Sequence, residues 1–290
     1  MRIYDRAAKT YREEKEYGGK SLEFLYHTVP GSILLKAFFS RRIYSRLNGI
    51  WMKSPLSVGK IKPFIREYGI DLSTCENTDF KSFNDFFTRK CSCRTAASEG
   101  EPISPCWGRL TVYDIDEGLI LKIKDSMYTL PELVDNRFEL SQYEGGLCLV
   151  YRLALEDCHR YFFCDEGEIL RTEEIAGALH TVRPISEAYR VLCRNHRICT
   201  LMSTEHFGDV IQVEVGALQI GSINNHRVTA FSRMDEKGYF SYGGSTIIQL
   251  FPADAISIDE DILSFSREGM EVLVRAGEKI GGITEEQMVK

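Results

Sequence analysis

The hydrophobic period of this chain changes once, near residues 95–105, and that change limits what it can fold into. Before it, apolar residues recur at helical spacing over 5–17, 33–52, 57–68 and 82–90. These four segments are expected as helices, with Ser57 capping the third and Ser82 or Asn84 capping the fourth. CSCRTAASEGEPISP (91–105) is a polar connector ending in proline. After it the period is two residues in LTVYDI (110–115), LILKIK (119–124), CLVYRLAL (148–155) and DVIQVEVGALQIGSI (209–223). YFSYGG (239–244), STIIQLF (245–251) and EVLVRAGEKIG (271–281) extend the strand pattern. Helices first and strands afterwards predict a segregated α+β fold, with a helical region over 1–95 and a β-rich body over 96–290.

Charge and cysteine usage narrow the function. The formal charge of −6 argues against a general nucleic-acid binder. No run of apolar residues is long enough for a membrane-spanning helix. MRIYDRAAKTYREEKEY at the start has no apolar stretch, so no secretory leader is expected. The nine cysteines form no CxxC, which predicts scattered reduced thiols and no metal centre. Cys158, His159 and Cys164 are the nearest approach to a ligand cluster. The charge is uneven: residues 1–60 carry 12 basic and 5 acidic side chains, whereas residues 61–290 carry 24 and 37. Within the basic part, Ile33, Leu34, Phe38, Ile43 and Leu47 fall near helical spacing, with Lys36, Arg41, Arg42 and Arg46 between them. Such a helix can lie on an anionic membrane surface, or pack as an ordinary amphipathic helix on its own domain.

Two segments carry candidate chemistry. In Gly243-Gly244-Ser245-Thr246, two glycines before a strand permit a strained turn. The plain reading is a hairpin turn, and a phosphate loop is disfavoured because a strand follows and no lysine precedes the hydroxyl residue. The sharper reading is a Gly–Ser bond that rearranges. The serine Oγ attacks the preceding carbonyl, an ester forms, and β-elimination leaves a new N-terminus that becomes a pyruvoyl group. That group is an electrophile for an amine substrate and an electron sink for loss of carbon dioxide. The second segment is Glu156-Asp157-Cys158-His159-Arg160, at the end of a strand. His159 is either a general acid or a structural histidine. His27, His180, His196, His206 and His226 show no ligand spacing.

Taken together, the segments resemble the phosphatidylserine decarboxylase family, in its bacterial type II-like branch. FNDFFTRK (83–90), SPCWGRL (104–110), LEDCHRYFF (155–163), EHFGDVIQVEVGALQIGSI (205–223) and KGYFSYGGSTIIQLF (237–251) occur in the family's order. The resemblance implies a proenzyme that cuts itself between Gly244 and Ser245, giving chains 1–244 and 245–290. It implies that Ser245 becomes a covalent pyruvoyl group and that His159 serves the decarboxylation step as proton donor. The implied substrate is phosphatidylserine, the product phosphatidylethanolamine, and the place of action the cytoplasmic side of the cell membrane, peripherally. It also shifts the reading of residues 31–53 toward membrane contact, making the N-terminal helical part membrane-proximal; self-association as a homo-oligomer stays open.

Two positions depart from the family's pattern. The aspartate of its SPxDG motif is Trp107 here, and the second histidine of its HRxH motif is Phe162. In the family these two complete a serine-protease-like triad for self-cleavage. Neither Trp nor Phe takes a proton from a serine. Either cleavage proceeds slowly by strain, or another group serves as base, with Asp157, Cys158, Glu205, His206 and His226 as candidates, or the chain is an unprocessed homologue that binds lipid or a partner. A third expectation is a decarboxylase of another amine. Gly216 and Gly221 are expected either to admit close backbone approach or to mark β-bulges.

Overall fold

STIIQLF has apolar residues at nearly every position, which suits a strand covered on both faces. In the computed structural model, which describes residues 2–14, 19–35, 37, 42–123, 126–181, 190–217, 222–242 and 245–283, Ser245–Phe251 is such a strand, buried throughout. It lies in a ten-stranded sheet among the described residues. The spatial order is Ala230–Phe231, Gly167–Ile175, Arg197–Thr204, Gly208–Gly216, Ser245–Phe251, Leu147–Leu153, Gly108–Asp114, Val272–Val274, Arg2–Asp5 and Thr10–Glu13. Neighbours are antiparallel except for Arg2–Asp5 beside Val272–Val274. Ile223–Asn225, Glu236–Phe240 and Arg160–Phe162 make a smaller antiparallel sheet.

Side chains alternate across the central strands. Leu149, Tyr151, Leu153, Ile247 and Phe251 enter one core cluster, while Cys148, Ile211, Val213, Val215, Ile248 and Leu250 enter another. A third cluster joins helices to the sheet: Met52, Ile61, Phe64, Phe83, Phe86 and Phe87 pack with Leu155 and Tyr242. Each such aromatic withdrawn from water contributes roughly 1.5–3 kcal/mol. Between the two sheets, Lys237 donates to Glu214 at 2.7 Å and to Thr200 Oγ1 at 3.1 Å.

The α+β class holds, but several local expectations change. Residues 5–17 do not form the expected helix over their described part: Arg2–Asp5 and Thr10–Glu13 are a hairpin. The reason is tertiary. Tyr4 packs on Phe265 at 4.3 Å between centroids, Tyr11 meets both rings edge-on, and the hairpin extends the sheet through Val272–Val274. Over 33–52 there are two helices, Val29–Leu34 and Arg42–Lys53, while Lys36, Phe38 and Arg41 lie outside the described residues. Over 57–68 the chain makes a 3-10 helix, Pro55–Lys60, and then an α-helix, Ile61–Tyr68. Ser54, not Ser57, caps the first. Ser57 is buried and accepts the Phe83 N–H at 2.8 Å, so it ties two helices together. The fourth helix is Phe83–Phe87, capped by Ser82; Asn84 Oδ1 instead accepts the Tyr242 N–H.

The expected strand over 209–223 ends at Gly216, and Ile223–Asn225 belongs to the smaller sheet. The one expected over 239–244 lies earlier, at Glu236–Phe240. The last splits into Val272–Val274 and Gly281–Gly282.

Candidate active site

Ser245 opens the central strand. It is paired with Leu153 on one side and Gly216 on the other, and it is fully buried. After Leu147–Leu153 the chain turns through residues 154–157 and delivers His159, also fully buried. The imidazole Nδ1 lies 3.1 Å from Ser245 Oγ, and its Nε2 lies 3.0 Å from the Ala154 carbonyl oxygen. A carbonyl only accepts, so Nε2 carries the proton. Nδ1 is then a lone pair facing the serine hydroxyl, which donates to it. Burial pushes the His159 pKa down to about 3; the Ala154 hydrogen bond opposes this, and the charges of Arg89 and Arg109 add to it. The site therefore holds a neutral imidazole of fixed tautomer against a serine that water does not reach.

The FNDFFTRK segment builds one wall. Phe87 stacks on the His159 ring at 4.0 Å, and Tyr242 meets Phe87 edge-on at 5.2 Å. Arg89 reaches under the turn and donates to the Glu156 and Asp157 carbonyl oxygens at 2.6 and 3.2 Å. Phe87, Arg89 and Ala154 were not among the sequence-level candidates. The run of phenylalanines before Thr88-Arg89 was the available signal for the first two, whereas a backbone carbonyl leaves none.

Of the sequence-level candidates, Ser245 and His159 meet directly. Gly243, Gly244 and Gly221 lie outside the described residues; Gly216 is the cross-strand neighbour of Ser245. Trp107 and Phe162 are themselves adjacent, ring centroids 6.2 Å apart and edge to face. The Phe162 N–H is bonded to the Pro105 carbonyl at 2.8 Å, which ties the two segments together. The two departures thus form one contact. Two of the alternative bases are engaged elsewhere: His206 with Asp165 at 2.9 Å and His226 with Glu236 at 2.7 Å. The Cys158 thiol donates to the Arg89 carbonyl, and Asp157 pairs with Arg109. No group of His, Cys, Asp and Glu with metal-ligand geometry occurs among the described residues.

The comparisons with known proteins come to the same place. A family model described as phosphatidylserine decarboxylase matches residues 83–282. The chain is 45% identical to phosphatidylserine decarboxylase proenzyme 2 of Clostridium acetobutylicum, over 96% of this chain and 97% of that one. It is 40% identical to the phosphatidylserine decarboxylase proenzyme of Ruminiclostridium cellulolyticum, over 97% of each. It is 37% identical to a proenzyme of the same name from Clostridium perfringens, over 97% of this chain and 99% of that one.

Proposed function

The chain belongs to the phosphatidylserine decarboxylase family, and from that premise we propose that Ser245, Gly244 and His159 carry its chemistry. The reaction is decarboxylation of phosphatidylserine to phosphatidylethanolamine by a proenzyme that processes itself. The cofactor is a pyruvoyl group, and Ser245 fits it: the residue is buried, opposite a hydrogen-bonding nitrogen, and walled by aromatic rings. The group supplies an electrophilic carbonyl for the substrate amine and a sink for the electron pair left when carbon dioxide departs.

In processing, His159 Nδ1 takes the Ser245 hydroxyl proton as Oγ attacks the Gly244 carbonyl carbon. The Gly244–Ser245 C–N bond breaks, leaving an ester on Oγ and an amine that receives the proton. Elimination releases the carboxyl terminus of 1–244, and hydrolysis with loss of ammonia leaves the pyruvoyl end of 245–290. At the decarboxylation step the neutral Nδ1 first takes the proton that the substrate ammonium must lose to react, and it is that proton which the imidazole then delivers. Phe87 covers one face of the imidazole and is itself backed by Tyr242, which holds the ring against the serine.

The lipid substrate requires a surface that meets the bilayer, and the N-terminal helices supply one. Ile50, Leu56 and Ile33 are 67%, 84% and 64% exposed; Leu47, Trp51 and Val58 are exposed as well, with Lys60 over the Trp51 ring. Apolar side chains entering the headgroup boundary among lysines favour a peripheral position on the cytoplasmic side of the membrane. No helix among the described residues is long and apolar enough to cross a membrane.

The observation that carries the reading is the 3.1 Å pair of His159 and Ser245 in a fully buried site. Denaturing mass spectrometry of purified protein tests it. Two chains, the shorter beginning with pyruvoyl at position 245, are expected; one intact chain of 33.1 kDa that persists for days with lipid present would mark an unprocessed homologue instead.

A further inference from the structure

The residue that orients His159 is not the one its chemistry would lead one to look for. A histidine that serves a serine as base usually owes its tautomer to a carboxylate on its second nitrogen. Here that partner is a backbone oxygen, Ala154 O, 3.0 Å from Nε2. A carbonyl fixes a tautomer only if the carbonyl itself is held. Ala154 is held from both ends by one residue. Its N–H donates to Asp157 Oδ2 at 2.7 Å, and its carbonyl also accepts the Asp157 N–H at 3.1 Å. Asp157 is in turn anchored by Arg109, which also reaches Glu156 at 2.6 Å and Glu14 at 2.7 Å. Arg109 leaves directly from the SPCWGR segment, two residues after Trp107. The anchor is almost entirely buried.

We propose that Asp157 is the positioning residue of the Ser245–His159 pair, acting through the peptide groups of Ala154 that it grips. Its carboxylate holds the Ala154 N–H, closes the 154–157 turn and aims the Ala154 carbonyl at His159 Nε2. Nδ1 is thereby kept free for the serine proton. The role needs an acceptor oxygen at that point and not a negative charge on the imidazole. The proposal rests on the reading of Ser245 as the self-processing residue only for its rate readout; the tautomer readout is independent of it.

The test has two arms. In the first, the rate of appearance of the 245–290 chain is followed by gel and mass spectrometry for wild type, Asp157→Ala and Asp157→Asn. Asn presents an oxygen to the same N–H but cannot neutralise Arg109. The alanine variant is expected to slow processing at least about tenfold, and the asparagine variant to regain most of that loss. Asparagine as slow as alanine would show that the charge matters and overturn the proposal; so would alanine at the wild-type rate. In the second arm, a Ser245→Ala background fixes the chain as precursor, and 15N NMR reads the His159 tautomer. Nε2–H alone is expected with Asp157, and a mixture of tautomers with Asp157→Ala. An unchanged tautomer would reject the role even if wild type never processes, which separates this failure from that of the proposed function. Should Asp157→Ala not fold, replacing Ala154 by lactate deletes its N–H alone and leaves the Asp157–Arg109 pair in place; the same slowing and the same tautomer mixing are expected, and their absence rejects the proposal.

Discussion

Two side-chain pairs sit close together in this chain and have opposite chemistry. Ser245 and His159 form a buried hydrogen bond, whereas Trp107 and Phe162 form an apolar edge-to-face contact. Phe162 lies three residues after His159, and Trp107 lies on the segment that hydrogen-bonds Phe162. The polar pair has a backbone oxygen as its second partner, which no side-chain substitution removes. The aromatic pair needs no hydrogen-bond partner. With both positions aromatic, neither a carboxylate nor an imidazole is stranded there in an apolar contact. A buried imidazole without a carboxylate is a weaker base, so the comparison predicts slow processing and not absent processing.

The sharpest way to break the comparison is to remove the polar pair's base. His159→Gln is expected to slow appearance of the 245–290 chain by about 10²–10⁴-fold while leaving the fold intact by circular dichroism. Wild-type kinetics in that variant would assign the base elsewhere. Next in size is conversion of the aromatic pair to a polar one. Trp107→Asp with Phe162→His is expected to speed processing by about tenfold or more, at some cost in thermal midpoint. Each single change should give little, because an imidazole without its orienting carboxylate gains little. A double variant no faster than wild type would mean that the aromatic contact does not limit the reaction.

A smaller effect belongs to the membrane face. Ile50→Glu with Leu56→Glu is expected to weaken binding to phosphatidylserine vesicles about tenfold in a sedimentation assay. Processing should be unchanged, since neither residue is near the serine's hydrogen-bond partners. The smallest effect is in pH. An ordinary imidazole, with a pKa near 6.5, would lose roughly tenfold in base concentration between about pH 7.5 and 5.5. His159, depressed to about 3, stays neutral over that range, so the processing rate should show no histidine inflection there. The sign for stability follows: the unfolded chain takes up a proton below about 6.5 that the folded site refuses until near 3. This group's contribution to stability is therefore lost as pH falls through that window. An inflection near 6.5 in the rate of processing would show the imidazole to be solvated.

Parts of this architecture were legible because they are local. The Ser82 cap, the alternation in 209–216 and the apolar run at 245–251 each specify their element from neighbouring residues alone. Other elements were not. Gly167–Ile175 is a strand with exposed or half-buried residues along most of its length, so it has no apolar alternation to read. Thr10–Glu13 is exposed throughout, on the edge of the sheet. Glu260–Arg267 is a helix of mixed polarity whose Ile262 is its one fully buried anchor. Ser57 shows the same limit at one residue: a good cap by type, it is used instead to join two helices.

The sequence by itself determined the chemistry available: a serine behind two glycines, one histidine on a polar turn, and two aromatic residues in place of an acid and a base. Only the tertiary structure decided how these are used. It brought His159 across 86 positions to Ser245, made Trp107 and Phe162 one contact, and put the Ala154 backbone oxygen against the second nitrogen of His159. The physical reason is that residue types are carried by side chains, whereas proton position is set by distance. The distances that matter here run through backbone groups that every residue possesses, so residue type alone cannot reveal them.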